Sequence, residues 1–253
     1  ALGHVRQAAD AKRQAIRDNA NLTAEEQADA LRQVDAAQTA AERAINQNHT
    51  NATLAKADSD GVKSINDINP QPRSKPAANQ ALEQVAAAKR QAINNNNQLT
   101  DEEKAQAIQQ VDQALANAKT QVQAANDNNG VNQAKTAGTT AINNINPQAT
   151  QKSQAIAAIE AAEQAKRQEL QGRNELTTEE RNNALADLTA KAQAAKGAVN
   201  QARNNTGVAG AKDNGVAQIQ GINPPAVVKP DARNAIDQAA RDREAEFQAN
   251  TKL

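Results

Sequence analysis

The stretch Ala88–Glu103, AKRQAINNNNQLTDEE, returns as AKRQAIRDNANLTAEE at Ala11–Glu26 and as AKRQELQGRNELTTEE at Ala165–Glu180. The offset is 77 residues each time, without insertion or deletion. A further copy starts at Asp242 (DREAEFQANTKL), with Leu253 in register with Leu22, Leu99 and Leu176. The same offset aligns Gly61, Gly138 and Gly215, Ile65, Ile142 and Ile219, and the pairs Asn69–Pro70, Asn146–Pro147 and Asn223–Pro224. A period of this length means an array of small structural units. The expected units are residues 1–70, 71–147 and 148–224, with 225–253 a linker and the first helix of a fourth repeat; the chain reads as a piece of a longer array.

Composition limits what those units can be. Of 253 residues, 59 are Ala, and Val, Ile, Leu and Phe together number 38. Cores built from so few large side chains are thin and marginal. The charge is balanced, 29 basic against 29 acidic, and Phe247 is the one aromatic residue. Neither the electrostatic footprint nor the stacking platforms of a nucleic-acid binder are there. The absence of Cys removes disulfides and thiolate metal sites. No apolar run approaches the ~18 residues of a membrane span, so no membrane insertion is expected.

Within the second unit a first helix is predicted from about Pro76, with Ala78, Leu82, Val85, Ala86, Ala92 and Ile93 as its apolar face. The Asn94–Asn97 run ends it. Leu99, Thr100 and Glu103 then spell a capping box with its preceding hydrophobic residue, repeated at Thr23/Glu26 and Thr177/Glu180. The second helix carries the seam Ile108, Val111, Leu115, Ala118, Val122, Ala125. Its counterparts are Leu185, Leu188, Ala192, Ala195, Val199, Ala202 and, with a polar intruder at Gln38, Leu31, Val34, Ala41, Ile45. A third helix is predicted with Asn128 (Asn51, Asn205) as its cap and Asn146–Pro147 as its end. Linkers NPQPRSKP, NPQATQKS and NPPAVVKP follow; in the middle one Asn146 could itself cap a helix opening at Pro147 and stiffen that joint. Three thin seams are buried most simply in an antiparallel three-helix bundle. An odd number of helices sends the chain out at the far end, so the bundles are expected to string into an elongated, monomeric rod.

Candidate sites are few. His4 and His49 have no aligned counterparts and read as surface histidines. The pairs Glu25–Glu26, Glu102–Glu103 and Glu179–Glu180 resemble paired general-acid carboxylates, but first-turn positions at a positive helix end already explain them. Lys12–Arg13, Lys89–Arg90 and Lys166–Arg167 could seed an anionic-polymer site or simply form a solvated face near a helix C-terminus. Gly61, Gly138 and Gly215 cost each helix about 1 kcal/mol relative to Ala, so they mark a close helix–helix approach or else a kink or hinge. No catalytic residue, cofactor site or metal site is expected, and the chain does not read as an enzyme.

The A-K-x-x-A-I segment with its Asn-rich turn, the L-T-x-E-E box, the A-K-x-x-G-x-x-x-I stretch (Ala134–Ile142, Ala211–Ile219) and the closing I-N-P together resemble a known family. It comprises the domain-of-unknown-function repeats arrayed in staphylococcal and related Gram-positive cell-wall-anchored surface proteins. The likeness covers the whole chain, departing at Asp58, where the other units have Lys135 and Lys212. It implies an extracellular, wall-anchored, non-catalytic stalk projecting a distal adhesive domain, with a role in aggregation or biofilm. Host matrix or plasma proteins and neighbouring cells would then be met by other regions of the parent protein. The alternative is that the bundles themselves are binding modules for a host plasma or matrix protein. Hot spots for such binding favour Trp, Tyr and Arg, and the chain has no Trp or Tyr.

Overall fold

The structure is a computed structural model that describes residues 1–250; Leu253, the register residue of the fourth copy, lies outside them. The described residues form ten helices and no strand: α1 Leu2–Arg17, α2 Ala24–Gln47, α3 Asn51–Asn66, α4 Ser74–Asn94, α5 Asp101–Ala124, α6 Asn128–Asn143, α7 Thr150–Gly172, α8 Thr178–Gln201, α9 Asn205–Gln220 and α10 Val228–Asn250. They divide into two compact units, residues 1–93 with 107–146, and residues 94–106 with those from Pro147 on.

In the first unit α1, α2 and α3 close one bundle around Val5, Ala9, Ile16, Leu22, Val34, Ile45 and Ile65. Cross-helix pairs give the directions. Arg6 meets Glu42 and Arg13 meets Asp35, so α1 and α2 are antiparallel; His4 meets Asp58 and Lys12 meets Asn66, so α1 and α3 are parallel. The pairs Glu83–Lys119, Arg90–Asp112 and Lys89–Asn143 repeat that arrangement for α4, α5 and α6. In the second unit α7, α8 and α9 close a bundle around Ile159, Leu170, Leu188, Ala192, Val199 and Ile219. The all-α, antiparallel three-helix reading is what the structure shows.

The capping boxes form at Thr23/Glu26 and Thr177/Glu180, and the same two bonds join Thr100 and Glu103. Other details differ from the sequence reading. The α4 start is Ser74, which makes Pro76 the third helical residue; Pro is tolerated there because N–H groups of the first turn have no intrahelical partner. Asn51, Asn128 and Asn205 open their helices rather than cap them. The caps are Thr50, Asp127 and Asn204, whose side chains accept from Thr53, Gly130 and Gly207. The middle linker has no helix opening at Pro147: α7 begins at Thr150. Ala92 faces solvent, while Ile108 and Leu115 are half-buried and Ala107 takes the central position. Gln38 sits at the edge of the seam, where it accepts from Arg13 and donates to Glu42 at 2.9 Å.

The recurrent glycines lie where helices 2 and 3 of each bundle touch. A Cβ on Gly61 would stand 2.5 Å from the Cβ of Ala41, and Gly138 and Gly215 face Ala118 and Ala195 at least as closely. These helices carry no positive-φ residue. Close packing, rather than a hinge, accounts for all three. Gly197, inside α8, has no heavy atom near a would-be Cβ. Gly197→Ala is therefore expected to stabilise by about 1 kcal/mol. Gly215→Ala should give a net loss, because overpacking costs ~1–3 kcal/mol and outweighs the same propensity gain. Thermal melts of the two variants check this; a rise in melting temperature for Gly215→Ala would contradict the close-packing assignment.

Candidate functional site: the joint between repeats

The residues that recur with chemical identity meet where one repeat hands the chain to the next. Helix 2 of each repeat begins with free N–H groups, and the Glu of its capping box satisfies one of them. The carboxylate has a second oxygen, and the structure shows where it goes. In the first unit Glu26 Oε2 accepts from the Thr23 N–H at 3.0 Å, while Oε1 accepts from the Arg73 and Ser74 N–H groups, both at 2.9 Å. Those two amides open α4. In the second unit Glu103 takes Thr100 N–H at 2.9 Å on one oxygen and Thr150 and Gln151 N–H at 2.8 and 3.0 Å on the other. Glu180 does the same for Thr177, Val227 and Val228, at 2.8, 3.0 and 3.2 Å. One side chain thus caps two helices from two repeats, which is why α4 starts ahead of Pro76.

A lysine completes the joint. Lys75, 4% exposed, donates from Nζ to the carbonyls of Ala20 (2.8 Å) and Gln123 (2.7 Å). Lys152, 3% exposed, donates to those of Asn97 (2.7 Å) and Asn200 (2.8 Å). In each case one carbonyl lies in the turn leaving helix 1 of the preceding repeat. The other ends helix 2 of the lysine's own repeat. The last carbonyls of a helix lack intrahelical donors and carry partial negative charge, so an ammonium between two such ends is favoured. Burial, and then the nearby Lys104 charge, pull the Lys152 ammonium below its usual range. A second acidic residue adds to the contact: Glu25 accepts from Asn128 N–H and Glu102 from Asn205 N–H, each at 3.0 Å. Beside them Ala24 N–H donates to Asn126 O at 2.8 Å and Asp101 N–H to Arg203 O at 2.7 Å.

The acidic pairs therefore have structural partners that sequence reasoning assigned only to their own helix. Burial would raise the Glu26 and Glu103 carboxyls, but hydrogen bonds from Thr23, Ser74 and Arg73, and from Thr100, Gln151 and Thr150, hold them below the ordinary range. At Glu180 the N–H groups of Thr177, Val227 and Val228 bring the carboxyl down to about 2. Donors to the charged form favour that form.

The basic pairs are also engaged, contrary to a simple solvated face. Lys12 donates to Asn66 O and Ile68 O at 2.8 and 3.0 Å, and Lys89 to Asn143 O at 2.8 Å, so each neutralises the C-terminal end of helix 3 in its own bundle. Lys166 departs from this, pairing with Glu169 at 2.7 Å. Arg13 reaches Asp35 on α2, Arg90 reaches Asp112 on α5, and Arg167 reaches Glu163 and Thr189. His4 bonds Asp58 at 2.8 Å through Nδ1 on an exposed face, and His49 is exposed. Among the described residues no three His, Asp or Glu side chains converge to hold a metal ion, and no helix is long and apolar enough to cross a membrane.

A signal that could have revealed the joint was the lysine register. Lys75, Lys152 and Lys229 recur at 77 residues inside linkers that otherwise share little beyond their Asn-Pro start.

Because each shared carboxyl titrates lower in the folded chain than its ordinary 4.5, its contribution is complete above that value. It is lost as pH falls through the folded one, about 2 for Glu180. Stability should thus decline over that acid window. Changing Glu26, Glu103 and Glu180 together to Gln should lower stability at neutral pH and flatten the acid limb. Denaturant melts across pH measure both, and an unchanged acid limb would exclude these carboxylates as its source.

The family model described as Domain of Unknown Function (DUF1542) matches the chain three times in tandem, over residues 1–73, 74–150 and 151–227. No curated protein and no solved structure matches it.

Proposed function

The chain belongs to the DUF1542 family, and on that premise we propose that it serves as a non-catalytic structural stalk in a bacterial cell-surface adhesin. In this reading it is extracellular and wall-anchored, and it holds a distal binding domain away from the wall, where that domain supports adhesion, aggregation or biofilm. The observation that carries the reading is the recurrence of the joint. Glu26, Glu103 and Glu180 each bond three backbone N–H groups, and Lys75, Lys152 and Lys229 each bond one carbonyl in the turn leaving helix 1 of the preceding repeat. What persists between copies is what builds each bundle and what fixes one repeat to the next. Outward positions such as Arg32, Gln109 and Ala186 share nothing. A spacer asks for that pattern, since length and connection matter and no particular exposed side chain does. The alternative, a host-protein module in every repeat, asks for a common exposed patch; its best candidate, the Lys–Arg pair, is occupied within the bundles.

Solution scattering tests the stalk directly. Helices of 20–25 residues rise roughly 30–38 Å, so three repeats in series should give a maximum dimension above about 100 Å. A compact particle of this mass would span roughly 50–60 Å. The compact value would overturn the stalk.

A further inference from the structure

The joint between the second and third repeats borders a polar cavity of about 430 Å³ whose lining includes Asn97, Asp101, Lys104, Lys152, Asn200 and Arg203. Three of these are cations. Lys152 is 3% exposed, and two of the three donors on its ammonium go to the Asn97 and Asn200 carbonyls. The third donor is left. Lys104 is half-buried and Arg203 exposed, and neither side chain forms an ion pair or a hydrogen bond among the described residues. Burial and the Lys104 charge together hold the Lys152 ammonium below its usual range.

The neighbouring acids do not neutralise this cluster. Glu103 is spent on the Thr100, Thr150 and Gln151 N–H groups, and Glu102 on that of Asn205. Among the described residues Asp101 is the one acid in the lining, so three positive side chains face one negative. The helix end that opens there adds no free amide at its first residue, because Asp101 N–H donates to Arg203 O at 2.7 Å.

The first joint is an internal comparison. By the 77-residue register it has Ala24, Gln27 and Asn126 where the second has Asp101, Lys104 and Arg203. It makes the same joining contacts without either extra cation. Lys75 holds the Ala20 and Gln123 carbonyls, Glu26 the Arg73 and Ser74 amides, and Ala24 N–H the Asn126 carbonyl. Gln27 is committed to Arg17 O and Asn19 O, and Arg181, the counterpart in the third repeat, to Arg173 O. Lys104 makes no such bond. Lys104 and Arg203 are therefore surplus to joining repeats.

We propose that the cavity bounded by Lys104, Lys152 and Arg203 is a binding site for a phosphate group, free or as a monoester. Like charges gathered in a half-buried place are stabilised by an anion among them. The excess of two positive charges matches the nearly doubly charged phosphate of neutral pH. A guanidinium and two ammonium groups supply charge-assisted donors to its oxygens. The side-chain amides of Asn97, Asn200 and Gln201, also in the lining, supply neutral ones. The inference goes beyond the stalk reading and does not depend on it.

Titrating the full chain with inorganic phosphate and with glycerol phosphate, at an ionic strength held constant with chloride, tests this through backbone amide shifts. Saturable shifts are expected at residues 101–104 and 200–203, with none at 24–27 and 123–126. The tighter probe tells whether the site takes free phosphate or an ester. Lys104→Gln with Arg203→Asn gives this joint the residues with which the first joint is built, and affinity should fall by roughly tenfold or more. Asp101→Ala should tighten binding by removing a like charge. Shifts that never saturate, that appear equally at the first joint, or that survive the double variant unchanged would overturn the proposal. So would loss of hydrogen-exchange protection at Thr150 and Gln151 in the double variant, since Lys104 and Arg203 would then be holding the joint itself.

Discussion

A carboxylate has two oxygens, and in this protein they face two different helices. That single fact links the local signal of a capping box to the organisation of the array. The Thr–Glu box satisfies one end of helix 2, as it does in many proteins, and leaves the outer oxygen of Glu26, Glu103 or Glu180 with capacity for two more donors. The first two amides of the next repeat arrive there unpaired because they open a helix. Charge-assisted bonds to backbone N–H are stronger than neutral ones, and partial burial of the group keeps water from competing.

The buried lysine is the complement at the other polarity. Helix termini leave N–H groups at one end and carbonyls at the other, and a joint between bundles brings several such ends together. An all-apolar joint would leave them unsatisfied at ~1–3 kcal/mol each. Lys75 and Lys152 answer the carbonyls, and the glutamates answer the amides. These polar contacts join each repeat to its neighbour. The glycines serve the same end within a bundle. With few large side chains to fill space, helices 2 and 3 approach until Ala41, Ala118 and Ala195 touch the backbone of Gly61, Gly138 and Gly215.

The bundles were legible because their determinants are local and periodic. Seams at helical spacing, Thr–Glu boxes and the Asn-rich turns gave three helices per repeat, and the strict register gave the repeat itself. Of the two causes the sequence left open for Gly138, close approach is the one its packing against Ala118 bears out. The cap of helix 3 was misplaced by one residue for a physical reason. Asn128 is constant in the register because it works at the joint, where Ser74 donates to its side chain at 2.7 Å and Glu25 takes its N–H. The true caps Thr50, Asp127 and Asn204 vary freely among good capping types. In the third repeat Gln151 replaces Ser74, and Asn205 Oδ1 is left buried without a donor. The joint itself was not legible from local pattern. Glu103 and Thr150 are 47 residues apart, as are Glu26 and Arg73. A Glu beside a Thr cap and a Lys in a Pro-containing linker each have a sufficient ordinary explanation alone.

The central claim is that one carboxylate couples neighbouring repeats. Site-resolved hydrogen exchange on Glu103→Ala tests it most directly, with Thr100→Ala as the comparison. Both variants weaken the start of α5, and loss of the Thr cap alone costs about 1 kcal/mol. The account predicts that Glu103→Ala also exposes the Thr150 and Gln151 amides, 47 and 48 residues away, while Thr100→Ala leaves them protected. Loss confined to the α5 start in both variants would show that the repeats are joined by something other than the shared glutamate.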